Sequence, residues 1–255
     1  MAVLPLLVCG AAAALYALGR RGRVRPWREA CFYSGVALTL VVLQPPFDTL
    51  ADRWLAVHMT QHVILMTVVP PLVVLGRPWP RLWLVFPLGA RRAVGGALAG
   101  SAAFRSVGST LSRPPIALLL QTAAIAVWHV PSLYDAAVRN DSVHLLEHTC
   151  FVAPALLYWG ALLDAPPVRT RMDQLRRSVW FAAAMVPGWI LAIVLAFARA
   201  PVYTAYPKLG DQQLAAGVMW VPGSLAYFVF AFLAFYRWLE PAPAGEPRPE
   251  ELSWT

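Results

Sequence analysis

Seven long apolar stretches dominate this chain and leave few architectures open to it. They run over residues 2–18, 30–50, 54–75, 115–130, 143–163, 179–197 and 214–238. Crossing a bilayer takes roughly 20 mostly apolar helical residues, because the hydrocarbon core is about 30 Å thick and each residue rises about 1.5 Å. Backbone polar groups find no water at that depth, so such stretches satisfy their hydrogen bonds as helices. Only 13% of the 255 residues are charged against 59% hydrophobic, too few to cover a water-soluble globule. The expected fold is an all-α integral membrane protein, a seven-transmembrane-helix bundle in one domain over residues 1–240. Residues 241–255, with Pro241, Pro243, Pro247 and Pro249 among Glu and Ala, are expected to form a disordered tail. Arg91, Arg92 and Arg105 interrupt the apolar run within 77–113, so that segment is expected to lie along the membrane surface rather than cross.

The basic residues set an orientation. Those in the connections after stretches one, three and five and in the tail number five, six, four and two, or 17 of the 21 Lys and Arg. Arg53, Arg139, Arg199 and Lys208 are the other four. Cytoplasmic loops hold the excess of Lys and Arg, so the alternation predicts the N-terminus outside and the C-terminus, with its tail, in the cytoplasm. The net charge of +8 therefore reads as topology, and no nucleic-acid partner is expected. Arg20, Arg21, Arg23, Arg25 and Arg28 follow the first stretch and nothing basic precedes it, the reverse of a cleaved signal peptide. Cys9, Cys31 and Cys150 are odd in number and lack CxxC spacing, which excludes a disulfide framework and a thiolate zinc site.

All five histidines, His58, His62, His129, His144 and His148, fall in the half of the bundle assigned to the outside. His58 and His62, and likewise His144 and His148, are spaced i, i+4, which puts each pair on one helix face. An imidazole within the membrane needs a partner, and two such pairs on different helices have few partners besides each other or a shared ion. Metal binding is the chemistry this predicts. Imidazole suits copper, zinc, iron and nickel, while thioethers favour Cu(I). Met59, Met66 and Met219 are candidate thioethers, with Met66 extending the His58–His62 stripe. Glu147 and Asp211 are candidates to orient imidazoles or attract a cation.

The runs His58 to Met66 (HMTQHVILM), Pro70-Pro71-Leu72 and Gly76-Arg77-Pro78 resemble the multi-pass CtaG family of cytochrome c oxidase assembly proteins. So do Trp128 to Ala137 (WHVPSLYDAA), His144 to Phe151 (HLLEHTCF) and Asp211 to Trp220 (DQQLAAGVMW). The resemblance implies a bacterial plasma-membrane factor for assembling an aa3-class oxidase. It would bind copper through His58, His62, His129, His144, His148 and Met219, and its partners would be oxidase subunits, other copper chaperones and membrane lipids. Stretches three, four, five and seven are expected to form the outward-facing cup, with His129 and Met219 at its rim. Such a chain is not expected to be an enzyme. The rival readings from the residues are an intramembrane zinc-dependent hydrolase, with Glu147 or Asp135 as acid/base, and a bis-histidine haem carrier. A transporter is disfavoured, because the inner halves offer few polar groups beyond Gln121 and Thr122.

Overall fold

The computed structural model describes residues 3–19, 25–166, 170 and 172–240, and these contain helices and no strand. The expected tail, 241–255, and Arg20, Arg21, Arg23, Arg169 and Arg171 lie outside the described residues. Helices α1 (Val3–Leu18) and α2 (Pro26–Leu43) lead to a short α3 (Phe47–Ala51). The span Leu55–Leu75 consists of α4 (Leu55–Val63), a π-helical turn (Ile64–Val68) and α5 (Val69–Leu75). Three short helices follow, α6 (Pro78–Val85), α7 (Leu88–Gly100) and α8 (Ala102–Leu111). Then come α9 (Pro114–Trp128), α10 (Pro131–Arg139) and α11 (Asp141–Leu162). α12 (Gln174–Ala183) and α13 (Met185–Phe197) make one stretch, and α14 (Leu209–Leu239) closes the bundle.

Four of these are long and apolar enough to cross a bilayer: Leu55–Leu75, Asp141–Leu162, Gln174–Phe197 and Leu209–Leu239. A fifth crossing arises only if α8 and α9, bent by 71° where they meet, count as one span. The expected stretch 30–50 is not a single helix. Pro45 and Pro46 have no N–H to continue the ladder, so α2 ends at Leu43 and α3 stands apart. The segment 77–113 forms α6 to α8, and α7 and α8 bury no residue.

Prolines also shape the span that carries His58 and His62. A regular helix would bond the N–H of residue 70 to the Met66 carbonyl, but residue 70 is proline. The ladder loosens into the π turn just before it, and the indole of Trp159 donates to the freed Met66 carbonyl at 3.1 Å. At the end of α2 the Val42 carbonyl loses its donor to Pro46, and the Gln61 amide replaces it at 2.7 Å. Both repairs tie the Leu55–Leu75 span to a neighbour, so its rotation about its own axis is fixed. Gly76, just past α5, lets this span close on α2: a Cβ there would lie 2.6 Å from Cβ of Phe32. Tyr16 of α1 donates its hydroxyl to the Gly76 carbonyl at 2.9 Å.

Loops that the charge pattern assigns to one side meet one another. Near the histidines, both oxygens of Asp211 accept the N–H groups of Leu55 (2.6 Å) and Ala56 (3.1 Å), capping α4 from the start of α14. Lys208 sits over the Trp54 ring at 4.2 Å, and Arg139 donates to the Thr204 hydroxyl at 2.7 Å. Among the groups assigned to the other side, Arg81 of α6 pairs with Glu29 of α2 at 2.7 Å.

Candidate metal centre

The two i, i+4 pairs meet. The ring centroids of His58 and His62 are 4.4 Å apart on α4, and those of His144 and His148 are 4.2 Å apart on α11. Across the two helices, His58 lies 4.9 Å from His144, and His62 lies 5.1 Å from His148. All four residues are buried. Each offers one ring nitrogen to a common point, and these four atoms lie within 4.8 Å of one another. A four-coordinate ion with bonds of about 2.0–2.1 Å holds neighbouring nitrogens roughly 3.3 Å apart in a tetrahedron.

Hydrogen bonds decide which nitrogens are free to ligate. The Tyr206 hydroxyl donates to the Ala51 carbonyl at 2.7 Å, so toward His58 Nδ1, 2.8 Å away, it acts as acceptor. His58 therefore carries its proton on Nδ1 and turns the Nε2 lone pair toward His62 Nε2, 3.0 Å away. His144 Nε2 and His148 Nε2 are buried without a hydrogen-bond partner, as is His62 Nδ1, the ring nitrogen that does not meet His58. Buried polar atoms are almost always paired, so orphaned imidazole nitrogens in one cluster suit a cation-binding set. The donor set fits a metal ion of the class that imidazole serves, copper, zinc, iron or nickel.

The other expected site residues take different places. His129 donates Nδ1–H to the Ile125 carbonyl at 2.8 Å and stands outside the group of four; its Nε2 has no partner. Glu147 is fully buried with both oxygens unpartnered, and it too is outside the group. Its carboxylate lies near a tyrosine wall: burial, with lesser contributions from this and other anionic neighbours, pushes the hydroxyls of Tyr134, Tyr203 and Tyr206 above their usual range. Asp211 does not face an imidazole, because its oxygens are spent on capping α4. Met59, Met66 and Met219 line a cavity beside His62. Met66 shares that cavity with Met59 and His62, while His58 does not line it.

Two residues at the site escape sequence reasoning. Tyr206 lies in the 198–208 connection, eight residues before the nearest periodic stretch, and only the fold brings it to His58. Met185 opens α13, on a span without histidine, yet it lines the cavity with the other three methionines.

The tyrosine wall is anchored by Asp135 on α10. It accepts from the Thr204 hydroxyl at 2.5 Å and from the N–H groups of Thr204 and Ala205 at 3.2 and 3.0 Å, with Arg139 3.8 Å away. Burial pushes the Asp135 carboxyl up, but these bonds and Arg139 outweigh it and hold the group below the usual carboxylate range. A depressed acid stabilises the fold fully above its unfolded value, about 4, and that contribution is lost as pH falls through the lower folded value. Amide protection at Thr204 and Ala205 is therefore expected to collapse in acid below pH about 4. Asp135→Asn should lower it already at neutral pH, as hydrogen exchange would show.

The chain is 25% identical over 233 residues to an uncharacterized protein of Mycobacterium bovis, and equally to one of Mycobacterium tuberculosis. The alignment covers 84% of this chain and 34% of each relative, so the chain spans about a third of their length. No solved structure matches it. The family described as cytochrome c oxidase caa3 assembly factor matches residues 11–240, a range that holds every histidine of the cluster and the helices that carry them. The chain belongs to the cytochrome c oxidase caa3 assembly factor family.

Proposed function

We propose that this protein holds copper in the four-histidine centre and passes it to a subunit of an aa3-class cytochrome c oxidase during assembly. The convergence of four buried imidazoles, three with an orphaned nitrogen, is the observation that carries this reading. Four protein ligands make a closed set, which suits holding an ion; activating a water for hydrolysis takes an open position. The four rings also pack against one another at 4.2–6.3 Å between centroids and leave no slot for a porphyrin between them. Copper is favoured over zinc by the thioethers that adjoin His62.

The proposed setting is the bacterial plasma membrane, with seven crossings, the N-terminus outside and the tail cytoplasmic. The 17 to 4 division of basic residues supports it, as does the meeting of loops assigned to the same side. In this orientation the histidine centre lies near the outer surface. Neutral imidazole is the ligand, so affinity is expected to fall below pH about 6, as histidine protonates. In a strain lacking the gene, the wild-type chain should restore oxidase activity and oxidase copper content. The variant with His58, His62, His144 and His148 all replaced by alanine should restore neither, at equal membrane abundance. Full restoration by that variant would reject the proposal.

A further inference from the structure

Beside the histidine centre lies a small, partly open cavity. It has a volume of about 60 Å³ and is bounded by α4, the π turn, α9, α13 and α14. Four of the chain's six methionines, Met59, Met66, Met185 and Met219, line it together with His62 and His129. Methionine is an ordinary gap filler in apolar cores. Here the four come from separate elements and leave a gap among them instead of filling it. Three lining residues also carry buried polar atoms without a partner: Nδ1 of His62, Nε2 of His129 and Oε1 of Gln121. Nδ1–H of His129 is committed to the Ile125 carbonyl, and the Gln121 amide nitrogen donates to the Tyr227 hydroxyl at 2.8 Å. What remains on His129 and Gln121 is acceptor capacity, the requirement of a cation and not of an anion.

The donors specify the ion. Thioether sulfur is soft and uncharged, and with imidazole it selects Cu(I) over Zn²⁺ and over hard ions such as Mg²⁺ or Ca²⁺. No charged side chain lines the space, so a monovalent ion enters at a smaller desolvation cost than a divalent one. The space holds an ion without its full hydration shell, being far smaller than the roughly 300–1,000 Å³ of pockets that take organic ligands.

We propose that this methionine-lined chamber is a second metal site, specific for Cu(I), with thioether donors from Met59, Met66, Met185 and Met219 and an imidazole donor from His129. It rests on the copper reading of the histidine centre. His62 belongs to both sites and joins them: its Nε2 is directed at His58, and its ring forms part of the chamber wall. The ion stays Cu(I) in passing between them, so the transfer needs neither oxidant nor reductant.

The test is a Cu(I) titration of the detergent-purified full chain under reducing, anaerobic conditions, with X-ray absorption at one and two equivalents. Two ions are expected per chain. The first equivalent should have a nitrogen-only coordination shell, and sulfur should enter the shell with the second. Met59→Leu/Met185→Leu/Met219→Leu, which nearly conserves volume, should bind one Cu(I) with the nitrogen shell. Zn²⁺ should bind once in both proteins. The wild-type spectra need no variant, so they decide even where the substituted chain fails to fold. A single bound ion with no sulfur overturns the chamber and leaves the histidine centre standing. Sulfur present at the first equivalent with only one ion bound overturns the two-site arrangement. The variant lacking His58, His62, His144 and His148 should keep one ion with a sulfur shell; wild type binding no more than that one ion would uphold the chamber and reject the histidine centre.

Discussion

Replacing His62 with alanine is expected to cost copper affinity more than the roughly 10–100-fold that loss of an outer partner costs at metal sites. Like His144, this residue faces all three of the other histidines. Its Nε2 is 3.0 Å from that of His58, and its ring lies 5.1 Å from His148 and 6.3 Å from His144. Its removal strips a ligand and also the ring against which its neighbours are packed. Phe151, 4.9 Å from the His62 ring, would face the space left behind. Chelator competition on the purified protein measures the effect, and thermal unfolding without metal separates it from a loss of packing. An affinity within tenfold of wild type would contradict the assignment of His62 as a ligand.

The second large effect is expected at a residue that touches no metal. Tyr206→Phe keeps the aromatic ring that packs with Leu55, Met59 and Tyr134 and deletes only the hydroxyl. That hydroxyl donates to the Ala51 carbonyl and so must accept from His58 Nδ1, which fixes the tautomer with Nε2 free for the centre. Without it, His58 can place its proton on Nε2 and cease to be a ligand. Copper affinity should fall about 10–100-fold, the range for loss of a partner that orients a ligating histidine. Chelator competition measures it, with the metal-free fold unchanged by circular dichroism. An unchanged affinity would show that His58 keeps its tautomer by other means.

Much of the site could be read from the sequence because it rests on helical periodicity. An i, i+4 spacing puts two imidazoles on one face whatever the tertiary fold, and His58–His62 and His144–His148 obey it. A buried imidazole needs a partner, so the two faces are expected to meet, and the fold brings them together. Periodicity failed where prolines rewrite the backbone. Pro45 and Pro46 divide the stretch 30–50. Contacts between distant segments left no local trace. Asp211 carries the charge expected of a cation attractor, yet the exposed amides at the start of α4 claim it first. Tyr206 and Met185 stand 148 and 126 residues from His58 and Met59, where no spacing rule reaches.

Electron paramagnetic resonance of the full chain loaded with one equivalent of Cu²⁺ tests the shared centre most directly. Nitrogen couplings from four imidazoles are predicted, with loss of that signal when His58, His62, His144 and His148 are all alanine. A spectrum of oxygen ligands or of a single imidazole, or one that survives the fourfold substitution, would contradict it.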